Sequence, residues 1–388
     1  MSVLTSATTP ARGASTAAQP RRPLGWATAG LSLSMLLPSL NISIANVGLP
    51  TMAEAFDASF SQVQWIVIAY LLAITTLIVG AGRLGDIAGK RRLLLGGIGL
   101  FTVATLLCGI APTLPLLIAA RSLQGVGAAC MMALTMAFVS ETVPRERTGS
   151  AMGLLGTMSA IGTATGPSLG GLLITGIGWR AIFLISVPLG ALTLLLAVRV
   201  LPTPASDQAR SRPRFDSLGT LLLALTLGAY ALAMTIEGEA FGPLTLALLV
   251  TSAAGLVLFV LVETRVPAPL LRLSLFRNLT LTTGLTTSAL VSTVMMTTLV
   301  VGPFHLARAL GLAPVFVGLV MSAGPVVSAL TGVPAGRAAD RFGADTMVVV
   351  GLSGVVAGTL VLSLMPVAAG VAGYALPLVT ITASYGRN

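Results

Sequence analysis

Apolar residues in this chain come in runs of about twenty, separated by short polar stretches that hold nearly all of the charge. Twelve runs recur, at roughly 24–47, 62–80, 93–111, 114–139, 148–175, 180–200, 217–236, 243–262, 279–302, 314–335, 346–366 and 368–385. A helix needs about 20 residues to cross the hydrocarbon of a bilayer, and each run approaches or exceeds that length. The runs are continuous rather than alternating, unlike the short dyad-patterned strands of a membrane barrel. Backbone N–H and C=O groups find no water in hydrocarbon, so the runs are expected to be helices. The pattern predicts an all-α polytopic membrane protein.

Composition strengthens that expectation. Hydrophobic residues make up 55% of the 388 positions and charged residues 9%, with a mean hydropathy of +0.96. A soluble domain carries about 25% charged residues, so lipid is the expected solvent and partner here. The net charge of +10 does not point to nucleic acid, because Lys90 is the sole lysine and no basic run is interleaved with aromatics. The cations punctuate the apolar runs instead. With the N-terminus placed in the cytoplasm, nineteen of the 22 Lys and Arg residues fall inside, Arg180 and Arg308 fall outside, and Arg121 lies within a span. That asymmetry sets the orientation expected in a plasma (inner) membrane. Residues 1–23, rich in Ser, Thr, Ala and Pro, read as a disordered cytoplasmic tail. The first run is too long for a signal-peptide core.

The chain also repeats itself. AGRLGDIAGKRRLLL at 81–95 and AGRAADRFGADTMVV at 335–349 share Ala, Gly, Arg, Asp and Gly at the same offsets. Each is expected to be a cytoplasmic loop joining the second and third helices of a group. The resulting division is a six-helix bundle at 24–200, a cytoplasmic linker at 201–216, an inserted helix pair at 217–262, and a partial second bundle of four helices at 279–388. Such repeats are the usual construction of secondary transporters, with the substrate path between them.

Four motifs carry chemistry. In the loop from Gly82 to Arg92, Asp86 is expected in a turn among Arg83, Lys90, Arg91 and Arg92. Gly85 and Gly89 suit tight reversals, and the carboxylate is placed to cap a neighbouring helix N-terminus. Asp340 is its counterpart in the second copy. In span 4, RSLQGVGAA buries Arg121, which costs about 2.5–3.5 kcal/mol in a span and so must face protein or water. Gln124 and Gly125 share its face. In span 5, Gly162, Gly166 and Gly170 form a bare stripe around Pro167, open to close approach by another backbone. In span 1, Asn41 and Asn46 are expected near the outer end, either bonding between helices or contacting substrate. Trp65 and Tyr70 of span 2 are further candidate lining residues, as are Met131, Met132, Met136, Met295 and Met296, whose flexible thioethers suit varied ligands.

These residues resemble the major facilitator superfamily, specifically its 14-helix drug:proton antiporter branch. The similarity lies in the Gly82–Arg92 loop, the R-x-x-Q-G-x-G-A-A run from Arg121, the G-x-x-x-G-P-x-x-G-G run from Gly162 and the L-N-x-S-I-A-N-V-G-L-P run from Leu40. QWIVIAYLL from Gln64 and GWRAIFLISVPLG from Gly178 add to it. The resemblance implies the major facilitator fold and efflux of drugs by alternating access, with antibiotic resistance as the outcome. The proton gradient is then the energy source, and no cofactor is implied. It implies that Arg121 handles protons and that Asp86 docks on the other bundle to hold the outward-facing state. Two departures stand out. Asn41 occupies a position where that branch carries Asp, and every Asp and Glu lies in a loop or at a span end, so no carboxylate is left inside the membrane. The branch would also have two further spans, so a fragment or truncated product is expected.

The other chemistry is sparse. Cys108 and Cys130 lie inside apolar runs and read as inert thiols, and His305, the sole histidine, has no metal-binding company. No Ser/His/Asp set or phosphate-cradling loop suggests an enzyme. A monomer binding a hydrophobic or amphipathic small molecule and protons is expected. A ligand-binding but non-transporting membrane protein is the alternative.

Overall fold

The computed structural model describes residues 24–142, 145–200, 216–236, 242–266, 270, 277–342 and 344–385. The expected tail at 1–23, most of the linker, and acids such as Asp207, Glu237 and Glu239 lie outside them. Among the described residues there is no strand. The helices are α1 (Leu24–Ala55), α2 (Phe60–Ala88), α3 (Lys90–Ile110), α4 (Leu114–Thr142), α5 (Arg145–Gly176), the single turn α6 (Ala181–Leu184) leading into α7 (Ser186–Val200), α8 (Ser217–Thr235), α9 (Pro243–Glu263), α10 (Leu279–Phe304), α11 (Pro314–Phe342), α12 (Ala344–Leu364) and α13 (Gly370–Tyr385). Each apolar run coincides with one of them, counting α6 and α7 together.

Two boundaries differ from the sequence reading, for physical reasons. Helix α1 runs to Ala55 through Pro50, because Asn41, Ser43 and Asn46 find bonding partners within the protein instead of ending the span. Asn41 therefore sits at mid-helix, not near the outer end. Most of the expected 82–92 loop is also helical. α2 continues to Ala88 and α3 starts at Lys90, leaving Gly89 alone as the link, with φ +93° in the left-handed region that suits glycine. The second copy behaves alike, with α11 continuing to Phe342 and α12 starting at Ala344.

In the N-terminal group α1 packs on α5 and α7, and α4 lies between α2 and α3. The α8–α9 hairpin leans on α2, and α10–α13 form the second group. The groups meet where α5 lies along α11 and α1 along α10. Helix α9 shows why lipid is the required solvent. Leu244, Leu246, Val250 and Val257 point outward at 55–61% exposure, an apolar surface that water would not tolerate. Nine helices among the described residues are long and apolar enough to span a membrane, and two shorter apolar segments lie at Pro314–Val327 and Gly370–Ser384.

Candidate functional site

The helix-5 glycines set the spacing of the bundle. A Cβ on Gly162 would stand 2.5 Å from the Leu36 carbonyl oxygen, and one on Gly166 would stand 2.6 Å from the Ser43 side chain. Gly170 meets Ile44. The stripe thus holds α5 against α1. Ser43 Oγ donates to the Thr163 carbonyl at 2.7 Å, and Ser39 and Ser159 share a hydroxyl bond of 2.6 Å. Helix α5 continues unbroken through Pro167. A neighbouring face of α5 serves the other group: any Cβ on Gly318 of α11 would collide with the Pro167 carbonyl, and one on Gly171 with that of Pro314. One glycine-rich helix therefore holds both its own bundle and its neighbour at backbone distance.

That contact is part of a seal. Phe60 packs edge-on against Phe304 with centroids 4.5 Å apart, and one hydrophobic cluster continues from Met52 and Trp179 across to Leu306, Val317, Met321 and Tyr374. The sealing residues lie toward the ends of α1, α5 and α10 and the start of α11. Below the seal, one to three helical turns along the same helices, a cavity of about 390 Å³ separates α5 from α10, α11 and α13. Ser159, Thr163, Ser292, Met295, Met296 and Met321 line it, and none of its lining residues is charged. A second cavity of about 350 Å³ lies among α10, α12 and α13, lined by Thr297, Thr359, Met365, Tyr374 and His305. Thr298 borders both.

The polar motif residues gather elsewhere, inside the N-terminal group. Arg121 is fully buried. Its Nε donates to the Ile66 carbonyl at 2.9 Å and its Nη1 to Gln124 Oε1 at 2.5 Å, while the guanidinium carbon lies 4.0 Å from the Tyr70 ring centroid. Gln124 Nε2 donates to Asn41 Oδ1 at 3.0 Å and to Thr105 Oγ1 at 2.7 Å. Asn41 Nδ2 donates in turn to Ser186 Oγ and to the Leu37 carbonyl, both at 3.0 Å. Tyr70 donates its hydroxyl to the Pro38 carbonyl at 3.1 Å. A desolvated cation without a carboxylate is held by dipoles and an aromatic face.

These placements revise the sequence reading. Arg121, Gln124, Asn41 and Tyr70 join one network across α1, α2, α3, α4 and α7 and line neither cavity. Trp65 reaches outward and donates to Thr235 of α8 at 3.0 Å. Asn46 is fully buried, with Nδ2 on the Ile42 carbonyl at 2.8 Å and Oδ1 lacking a hydrogen-bond partner. Met295 and Met296 line the inter-group cavity, but Met131 is core and Met136 is 45% exposed. The hydroxyl lining of that cavity escaped the sequence, because Ser and Thr are common in spans and only their convergence marks them.

Asp86 also differs from expectation. The cap position of α3 carries no side-chain hydrogen bond. Asp86 sits in the last turn of α2 and pairs with Lys90 at 3.0 Å, with its side chain 47% exposed. Gly82 has open space around it, while Gly85 packs against Leu134. Arg91 donates to the Val198 carbonyl at 2.8 Å. The side chain of Asp340, in α11, lies outside the described residues. A surface ion pair contributes about 0–1 kcal/mol, and here the carboxylate is half-exposed, so Asp86→Asn is expected to leave the melting temperature in detergent nearly unchanged. A large destabilisation would show that the carboxylate has a structural role beyond this pair.

Comparison with known proteins follows the same lines. The sequence profile described as the Major Facilitator Superfamily matches residues 31–387. The multidrug resistance protein Stp of Mycobacterium tuberculosis is 34% identical over 337 residues, covering 86% of this chain and 62% of Stp. This chain therefore spans less than two thirds of that relative's length. The riboflavin transporter RibZ of Clostridioides difficile is 32% identical, over 83% of this chain and 70% of RibZ. Among solved structures, a D-xylose–proton symporter superposes with a TM-score of 0.66 at 15% identity, covering 95% of this chain and 81% of the symporter, a likeness of fold alone.

Proposed function

This chain belongs to the Major Facilitator Superfamily and is a multi-pass membrane protein, and from that premise we propose that it is a transporter that exports hydrophobic or amphipathic small molecules, drugs among them, in exchange for protons. The observation that carries the reading is the inter-group cavity closed on one side by a packed seam. Its volume of about 390 Å³ is within the range of small-molecule sites. Three methionines offer an adaptable apolar wall and the hydroxyls a few directional bonds. With the N-terminus in the cytoplasm of a plasma-membrane protein, the seam lies at the outer side and the cavity nearer the inner side. That is the arrangement of a carrier ready to load from the cytoplasm. Alternating access then means opening the α5–α11 and Phe60–Phe304 contacts while the cytoplasmic ends close. Asp86, Lys90 and Arg91 sit at the cytoplasmic ends, where that closure would form. The helix-5 motif and the relative named as a multidrug resistance protein support export.

The direct test is dye efflux from vesicles. Met296→Trp adds an indole to the cavity wall and is expected to reduce gradient-dependent efflux of Hoechst 33342 to the level of empty vesicles. Met136→Trp, on the exposed face of α4, is expected to leave it unchanged. Equal dye retention in expressing and empty vesicles would count against export altogether. A second reading, uptake of a polar nutrient, is favoured by the similarity to the riboflavin transporter. Accumulation of riboflavin against its gradient would establish it.

A further inference from the structure

The network around Arg121 holds no carboxylate, and every described Asp and Glu lies at a helix end or between helices. A guanidinium stays protonated, so it cannot bind and release a proton in each cycle. Histidine is the side-chain type suited to taking up and releasing protons, and the one histidine of the sequence, His305, lies in a membrane-spanning segment. Its surroundings are built rather than incidental. Helix α10 ends in a π-helical segment, His305–Ala309, a widened turn that is frequent at functional sites. That turn places the imidazole at the wall of the 350 Å³ cavity, stacked on the Tyr374 ring at 5.9 Å between centroids with 25° between the planes.

Tyr374 then connects the two cavities. It lines the first one, and its hydroxyl donates to the Thr298 carbonyl at 3.2 Å and approaches Met321 Sδ at 3.6 Å. Thr298 borders both cavities and Met321 lines the inter-group one. A Cβ on Gly302 would strike the Tyr374 hydroxyl, so only a bare glycine lets the hydroxyl reach this part of α10. The charged and titratable groups around His305 are few. Tyr374 faces it from α13, and Arg308 shares its segment, with the guanidinium carbon 5.5 Å from the Phe304 ring centroid. The nearby stretches of α10, α11 and α12 carry none, while at this end of the molecule the last turn of α1 carries Glu54 and the α1–α2 connection Asp57.

From this geometry we infer that His305 is the group that binds the transported proton, and that Tyr374 sets proton and substrate against each other. The inference rests on the proton-coupled export reading. One proton from water on the outer side forms an N–H bond with the unprotonated imidazole nitrogen, and that bond breaks when the proton passes to water on the inner side; no other bond changes. The imidazolium draws the Tyr374 ring face toward itself by cation–π attraction. The hydroxyl moves with the ring and disturbs the wall that Thr298 and Met321 present to substrate. Linkage makes the effect mutual: substrate that favours the undisturbed wall lowers the proton affinity of His305 by the same factor, about 5–150-fold for couplings of ordinary size.

The test uses the full chain, free of any histidine tag, in proteoliposomes with trapped pyranine to report proton movement. Hoechst 33342 and riboflavin serve as probes, in wild type, His305→Gln and Tyr374→Phe. His305→Gln is expected to lose gradient-driven transport by about tenfold or more, together with probe-induced proton movement, while probe-for-probe exchange stays within about twofold. Tyr374→Phe keeps the stack and loses the hydroxyl, so proton binding is expected to persist while antagonism with the probe weakens. If His305→Gln retains wild-type gradient-driven transport, the assignment of His305 is overturned and the export reading stands. If it loses exchange as well, its role is structural and the assignment also falls. If the wild-type chain moves neither probe, or moves them indifferently to the pH gradient, both readings fall.

Discussion

Arg121→Ala is expected to destabilise the N-terminal bundle by about 3–5 kcal/mol and to abolish transport. Arg121 is the largest fully buried side chain among the described residues. Truncation leaves a cavity between α2 and α4 and strips donors from Gln124 Oε1 and the Ile66 carbonyl. It also removes the cation from the Tyr70 face, a contact of about 2 kcal/mol when desolvated. One term opposes these, since taking a charge out of a dry interior relieves its desolvation cost. Arg121→Met separates the two. Methionine refills most of the volume without the charge, so most of the stability is expected to return. Transport is expected to stay absent, because the network no longer ties α4 to α1, α2 and α3 through a fixed polar geometry. Melting in detergent and dye efflux in proteoliposomes give the two readings. Wild-type efflux by Arg121→Met would reduce Arg121 to a packing element.

Gly318→Val is expected to break the seal without unfolding the chain. Its Cβ would collide with the Pro167 carbonyl, backbone that cannot rotate away. The strain falls on the α5–α11 contact between the two groups, while the α1–α5 contacts within the N-terminal group are untouched. Helices α5 and α11 must separate, which raises the population in which the outer side is open. A cysteine placed at Ser159, in the cavity, reports this through labelling by a membrane-impermeant maleimide. Its labelling from outside is expected to rise about tenfold, a shift of about 1.4 kcal/mol between the two states. The native Cys108 is buried and Cys130 half-buried. Gly99→Val, with nothing within 4 Å of its Cβ, is the control. Equal labelling in both variants would mean that this contact does not gate the cavity.

These residues also mark how far sequence reasoning reached. The twelve apolar runs named the helices, since hydrocarbon leaves the backbone no alternative to internal bonding. The glycine spacing in span 5 pointed to close helix approach, but not to the partner. Gly162 and Gly166 meet α1, whereas Gly171 and the Pro167 carbonyl meet α11. The sequence predicts a loop at 82–92 where the structure keeps only Gly89 outside helix, because small and charged residues that suit a turn also suit a helix end one residue away from the next helix. The sequence shows no metal-binding company for His305, and the ring it stacks on, Tyr374, stands 69 positions further along the chain.

Span number, helical character and membership of a transporter family follow from composition and order along the chain, because a bilayer penalises each uncovered polar group locally and every residue declares its own cost. Which polar groups meet is another matter. Asn41 finds Ser186, Tyr374 finds Thr298, and the cavity takes hydroxyls from α5, α10 and α13, all through contacts between segments far apart in sequence. Those partnerships depend on how helices cross and rotate, and only the packed bundle fixes that.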